Sequence, residues 1–137
     1  MGCILVAQGE EFDVDAFLIS SSLLPDQVYH RGESPLTKHP ERKYPRSGFT
    51  MEVSETWGVL KPQIADAIEF LKENELELAR LSAYPGVTKL CLDFPYERRK
   101  GAVTQTDSLP AELLLLAGQL GIAIDMTLYP TTGEETL

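Results

Sequence analysis

A strict two-residue alternation in three segments constrains this chain more than any other feature. Phe49, Met51 and Val53 alternate with Thr50, Glu52 and Ser54. Leu90, Leu92 and Phe94 alternate with Lys89, Cys91 and Asp93, and Ile122, Ile124, Met126 and Leu128 with Ala123, Asp125, Thr127 and Tyr129. Successive side chains of a strand point to opposite faces, so each segment has one apolar and one wet face. A doubly wound parallel sheet, covered on both sides, needs near-continuous apolar strands instead. The alternation predicts an α+β fold: a mixed or mostly antiparallel sheet with helices on one face.

The segments between carry helix signals. Residues 3 to 8 read as a first strand. Asp13 is placed as an N-cap, with Phe12 and Phe17 spaced for a hydrophobic staple, and a helix is expected from Val14 to Ser22, stopped by the serine run and Pro25. Gln27 to Arg31 reads as a second strand. Pro62 suits a first helical turn, Ile64, Ile68 and Leu71 form one stripe to about Asn74, and a further helical piece runs from Glu75 to Ala83. Pro110 opens a helix with Leu113, Leu116, Ala117 and Leu120 on one side, and Gly121 suits its left-handed end. Leu114 and Leu115 widen that apolar arc, which predicts deep burial. The element order resembles a ferredoxin-like βαββαβ core with an extra C-terminal helix and strand.

With 137 residues, 43 % of them hydrophobic, the chain matches one globular domain spanning residues 1–137, with a basic irregular loop at about 32–48 and a frayed tail at about 131–137. The apolar start lacks a basic segment and turns acidic at Glu10-Glu11, so it reads as a strand and not as a signal peptide. No apolar run approaches the roughly 18 residues of a membrane span, so a soluble, cytoplasmic protein without membrane contact is expected. Cys3 and Cys91 sit in apolar contexts outside any C-x-x-C pair and read as small buried hydrophobes.

Charge is segregated. Five of the twelve Lys and Arg, and both His, fall between His30 and Gly48, while the chain as a whole carries a net charge of -9. That acidity disfavours nucleic acid and favours a protein partner. Arg31, Lys38, Arg42, Lys43 and Arg46, interleaved with Tyr29 and Tyr44, could hold an anion, because Arg presents a planar fork to phosphate or carboxylate and Tyr adds a stacking face. His30 and His39 titrate near neutrality, but no third ligand stands at a metal-binding spacing, so no metal and no cofactor is expected. Trp57, the only Trp, is a core or hinge anchor, or a binding hot spot if exposed beside the basic loop. The candidate binding set is therefore Tyr29, His30, Arg31, Lys38, His39, Arg42, Lys43, Arg46 and Trp57. Asp93 and Asp125 would form a carboxylate pair if their strands are neighbours. No catalytic constellation is recognisable, and Ser20-Ser21-Ser22 lacks a nucleophile elbow.

Trp57-Gly58-Val59, the helix after it, Val87 to Phe94, the ending Leu120 to Tyr129, Phe12 and Phe17, and Arg31-Gly32-Glu33 before a variable loop together resemble the bacterial domain-of-unknown-function family 4279. The resemblance spans nearly the whole chain. It implies a small bacterial cytoplasmic domain and carries over no catalytic residue. Two functions are expected: a non-enzymatic protein-interaction module, immunity-like in composition only, or a binder of an anionic small molecule or nucleotide through the basic loop. Strand edges near the termini also offer homodimer pairing.

Overall fold

The computed structural model describes residues 1–35 and 38–131. Elements follow in the order β1 (Ile4–Gly9), α1 (Val14–Ile19), β2 (Gln27–Tyr29), β3 (Ser47–Glu52), α2 (Leu60–Glu73), α3 (Glu75–Ser82), β4 (Lys89–Glu97), α4 (Ala111–Gln119) and β5 (Ala123–Tyr129). The strands form a single mixed sheet in the order β2-β3-β1-β4-β5. All neighbours are antiparallel except β4 and β5. The expected α+β class and mixed sheet are observed.

The sheet register explains the core. Leu5 lies between Met51 and Leu92, and Ala7 between Phe49 and Leu90. These residues share one face, and Leu5, Ala7, Phe49, Leu90, Leu92 and Phe94 are buried in one cluster with Phe17 of α1, Leu71 of α2, Leu78 and Leu81 of α3, and Leu113 and Ala117 of α4. The alternation thus places the helices on this face. Each fully buried Leu or Phe contributes about 1.5–3 kcal/mol by transfer from water.

Local chemistry sets the element ends. Asp13 Oδ1 accepts from the Ala16 N–H at 3.1 Å, and Phe12 meets Phe17 at 6.2 Å between ring centroids, as the capping and staple pattern predicts. α1 stops at Ile19, three residues short of the expected end, where Ser20 Oγ donates back to the Phe17 carbonyl. Arg80 of α3 then locks α1 in place: its guanidinium lies 4.2 Å over the Phe17 ring, donates to the Phe17 carbonyl and binds Glu77. β3 ends at Glu52, before Val53 and Ser54, because both of their N–H groups converge on the Cys3 carbonyl and leave the ladder. Gly121, at φ +69°, ends α4 in the left-handed region that favours glycine.

Three expectations about burial are corrected. The buried stripe of α2 is Leu60, Gln63, Ala67, Phe70 and Leu71, with Ile64 and Ile68 only half-buried beside it, because the helix opens at Leu60 and turns its first and fourth positions inward. Leu114 and Leu115 of α4 are 49 % and 61 % exposed. Met126 and Leu128 on β5 are exposed too, although they share a face with buried Phe94 and half-buried Tyr96. β5 is the last strand of the sheet and nothing among the described residues packs beyond it, so alternation there has no cover to complete it.

β4 contains Pro95, which has no N–H for a ladder. It is tolerated because β1 pairing ends at Asp93 and the next contact on that side is the Gly58–Tyr96 bridge. The Pro95 carbonyl accepts from Gln63 Nε2 at 2.7 Å, while the buried Gln63 Oε1 has no hydrogen-bond partner among the described residues. The frayed-tail expectation falls mostly on residues 132–137, outside the described residues.

Candidate functional site

The basic loop leaves β2 and returns to β3 without regular structure among its described residues, as its prolines predict. It closes on itself through backbone bonds from Gly32 to Tyr44 and from Tyr44 to Glu33. Tyr44 stacks on Tyr29 with centroids 5.0 Å apart, and Tyr29 Oη donates to Gln8 Oε1 at 2.8 Å. Burial under Tyr44 raises the Tyr29 pKa.

Much of the loop's charge is spent on the protein's own acids. His30 Nε2 lies 2.9 Å from Asp15 and Nδ1 3.3 Å from Glu33, which raises its pKa chiefly through the Asp15 hydrogen bond. Arg31 pairs with Glu11 at 3.1 Å, and His39 with Glu41 at 3.3 Å. Lys38, Arg42, Lys43 and Arg46 are exposed and make no ion pair within 4 Å among the described residues. Among the described residues no group of three or more His, Cys, Asp or Glu is arranged to hold a metal ion.

Trp57 is not part of this loop. It stands at the opposite edge of the sheet, 46 % exposed, with its Nε1 donating to Glu97 at 3.0 Å and its ring 5.0 Å from that of Tyr129 on β5. It is not a core anchor: the chain here continues alongside β4 beyond the end of β1, where Gly58, at φ +77°, forms its bridge to Tyr96 and takes the Glu97 N–H at 2.9 Å. A β-carbon on Gly58 would press on the Glu97 side chain at 3.2 Å.

Trp57 instead opens a cleft of about 840 Å³ at the carboxyl ends of the parallel strands β4 and β5. Trp57, Val59, Leu60, Ile64, Tyr96 and Pro110 supply its apolar lining. Lys61, Arg98, Arg99 and Lys100 supply positive charge against Glu97 and Asp107, so the lining is net positive in a chain of net -9. α2 and α4 both begin here, after Val59 and Pro110, and neither has a side-chain cap, so the N-terminal ends of both helices add positive potential.

The loop between β4 and α4 is shaped by one side chain. Gln105 Oε1 accepts from the Arg99 N–H at 2.6 Å, and its Nε2 donates to Asp107 at 2.9 Å and to the Glu97 carbonyl at 3.5 Å. Arg99 reaches Asp107 at 3.5 Å, and Thr131 Oγ1 donates to the Arg98 carbonyl. Of the candidate binding residues named from the sequence, only Trp57 lines this cleft. The others were missed because they come from three separate segments. The signal was there in the Arg98-Arg99-Lys100 run followed by a helix opening on Pro110 without a capping side chain.

Asp93 and Asp125 are neighbours, facing one another in the β4–β5 register. They are not a catalytic pair in this arrangement, since each has its own partners. Asp93 accepts from Thr127 Oγ1 at 2.8 Å, and Asp125 accepts from the Cys91 thiol at 3.4 Å with Lys89 at 3.6 Å. Cys3 and Cys91 are free and buried, as expected. No described helix is long and apolar enough to cross a membrane. No protein-family model, curated protein or solved structure matches this chain.

Proposed function

We propose that the protein binds an anionic, ring-bearing small molecule, of the phosphorylated or nucleotide-like class, in the cleft between the start of α2 and the 98–110 loop. The observation that carries this reading is the lining itself: four cationic side chains, two uncapped helix starts and an exposed indole converge on one concavity. Arg supplies planar forks for phosphate or carboxylate, and Trp57 offers a stacking face for a ring. This moves the anion-binding expectation from the His30–Arg46 loop to the opposite edge of the sheet. The reading includes no catalytic step.

Because Trp57 is the only Trp, its fluorescence reports on this cleft alone. Titration with ATP, and then with a panel of phosphorylated and carboxylated metabolites, is expected to give a saturable change that is lost when Lys61, Arg99 and Lys100 are replaced by Ser. A flat response across the panel rejects the reading. The interaction-module reading then stands, supported by the exposed Lys38, Arg42, Lys43 and Arg46. It is tested by affinity capture at physiological salt with and without those four charges.

The same reading takes the first four strands as a ferredoxin-like core carrying α4 and β5 as an appended unit. β3 lies between β2 and β1, antiparallel to both, and β4 flanks β1 on its other side, which supports this assignment. A bacterial, cytoplasmic setting and kinship to family 4279 belong to the proposal through the residues that resemble that family.

A further inference from the structure

The two edges of the sheet are unequal. β2 is three residues long, a length that gives little purchase to another strand. β5 is seven residues long and pairs with β4 without a bulge. It contains no Pro, Lys or Arg, and it leaves its outer side open among the described residues. Edge strands of monomers are normally blunted by those devices.

We propose that the protein is a homodimer formed by antiparallel pairing of β5 with β5 of a second copy, across a two-fold axis through Met126. The backbone supports this register. The Tyr129 carbonyl accepts from the Arg98 N–H and so faces β4. Donor and acceptor directions alternate along a strand, so Ile124, Met126 and Leu128 direct theirs outward. Centring on Met126, the middle residue of β5, pairs Met126 with Met126 of the partner subunit and Ile124 with Leu128 of the partner subunit. All three outward donor–acceptor sets are then satisfied in each copy.

The side chains agree with the backbone. This register sets Asp125 opposite Thr127 of the partner subunit, whereas centring one residue earlier would oppose two Asp125 carboxylates, at a cost. Met126 and Leu128, exposed by 38 % and 52 %, project on the helix-bearing face. Leu114 of α4 is exposed as well, by 49 %. Glu112 binds Lys72 of α2, and two residues further turn the helix by about 200°, so Leu114 occupies the flank of α4 away from α2. The chain's net charge of -9 opposes self-association over most of its surface. On β5, by contrast, the only charge is Asp125, which lies close to Lys89 of its own copy.

Sedimentation velocity of the full chain tests the proposal. The wild type is expected at twice the chain mass. Met126→Lys, which would set two ammonium groups against each other on the axis, is expected at the monomer mass with an unchanged circular dichroism spectrum. Leu114→Ser leaves the backbone pairing intact and is expected to weaken the dimer at least about tenfold by removing apolar contact. A wild type that stays monomeric, or a Met126→Lys variant that stays dimeric, overturns the proposal; a monomer would leave the edge to a strand from another protein.

Discussion

Trp57 and Tyr129 meet ring to ring at 5.0 Å and 60°, joining the segment that enters α2 to the far edge of the sheet. The contact holds together two segments far apart in sequence. Trp57→Ala is expected to lower stability by about 1–2 kcal/mol, from the aromatic contact and the hydrogen bond to Glu97 together. Urea unfolding followed by circular dichroism measures it, and an unchanged midpoint would mean that the indole is held without contributing.

Gln63 is fully buried in α2 and supplies the hydrogen bond to the Pro95 carbonyl. Gln63→Ala leaves that carbonyl unsatisfied and opens a void, with an expected loss of about 2–4 kcal/mol. Differential scanning calorimetry should show a clear drop in Tm. A neutral substitution would show that water or a side-chain shift repairs the gap.

His30 ties the basic loop to α1 through Asp15, and its folded-state pKa is raised by that bond. The stabilisation is therefore fully present below the ordinary His pKa of about 6.5 and is lost as pH rises through the higher folded value. The wild type should exceed His30→Gln in Tm at mildly acid pH, with the gap closing on the alkaline side. The group is exposed, so the gap should be small. A gap that widens with pH would contradict the Asp15 assignment.

Burial, and then the Asp125 carboxylate that accepts its S–H, push the Cys91 thiol up to about 12. Burial raises Cys3 as well. Neither thiol should react with Ellman's reagent in the native protein at about pH 8, where an ordinary exposed cysteine does. Both should titrate in urea. Fast modification of Cys91 in the native state would indicate local opening at β4, and of Cys3 opening at the start of β1.

The sequence revealed elements more readily than surroundings. Alternation marked β3, β4 and β5 and told which residues share a face, but periodicity says nothing about what lies over that face. Leu114, Leu115, Met126 and Leu128 look like core residues by spacing. They are exposed because β5 is the edge strand and nothing among the described residues packs beyond it or beyond that flank of α4. The basic loop was conspicuous because its charges are contiguous, yet its His30, Arg31 and His39 turn to Asp15, Glu11 and Glu41. The cleft was hidden for the opposite reason. Trp57, Lys61 and Arg99 come together only after Gly58 has bridged to Tyr96, a contact across 38 positions that no local pattern encodes.

Pro95 divides β4 into two mechanically different halves. Toward its start the strand is laddered on both sides, by β1 and by β5, whereas beyond Pro95 it is held by β5 and by the single Gly58 bridge. The amides of Tyr96 and Glu97 should therefore exchange with deuterium through local opening, at a lower free energy than those of Cys91 or Leu92. The cleft is thus built on the half of the strand that can breathe, and a ligand seated there would be read out as slowed exchange at its rim while the centre of the sheet stays unchanged.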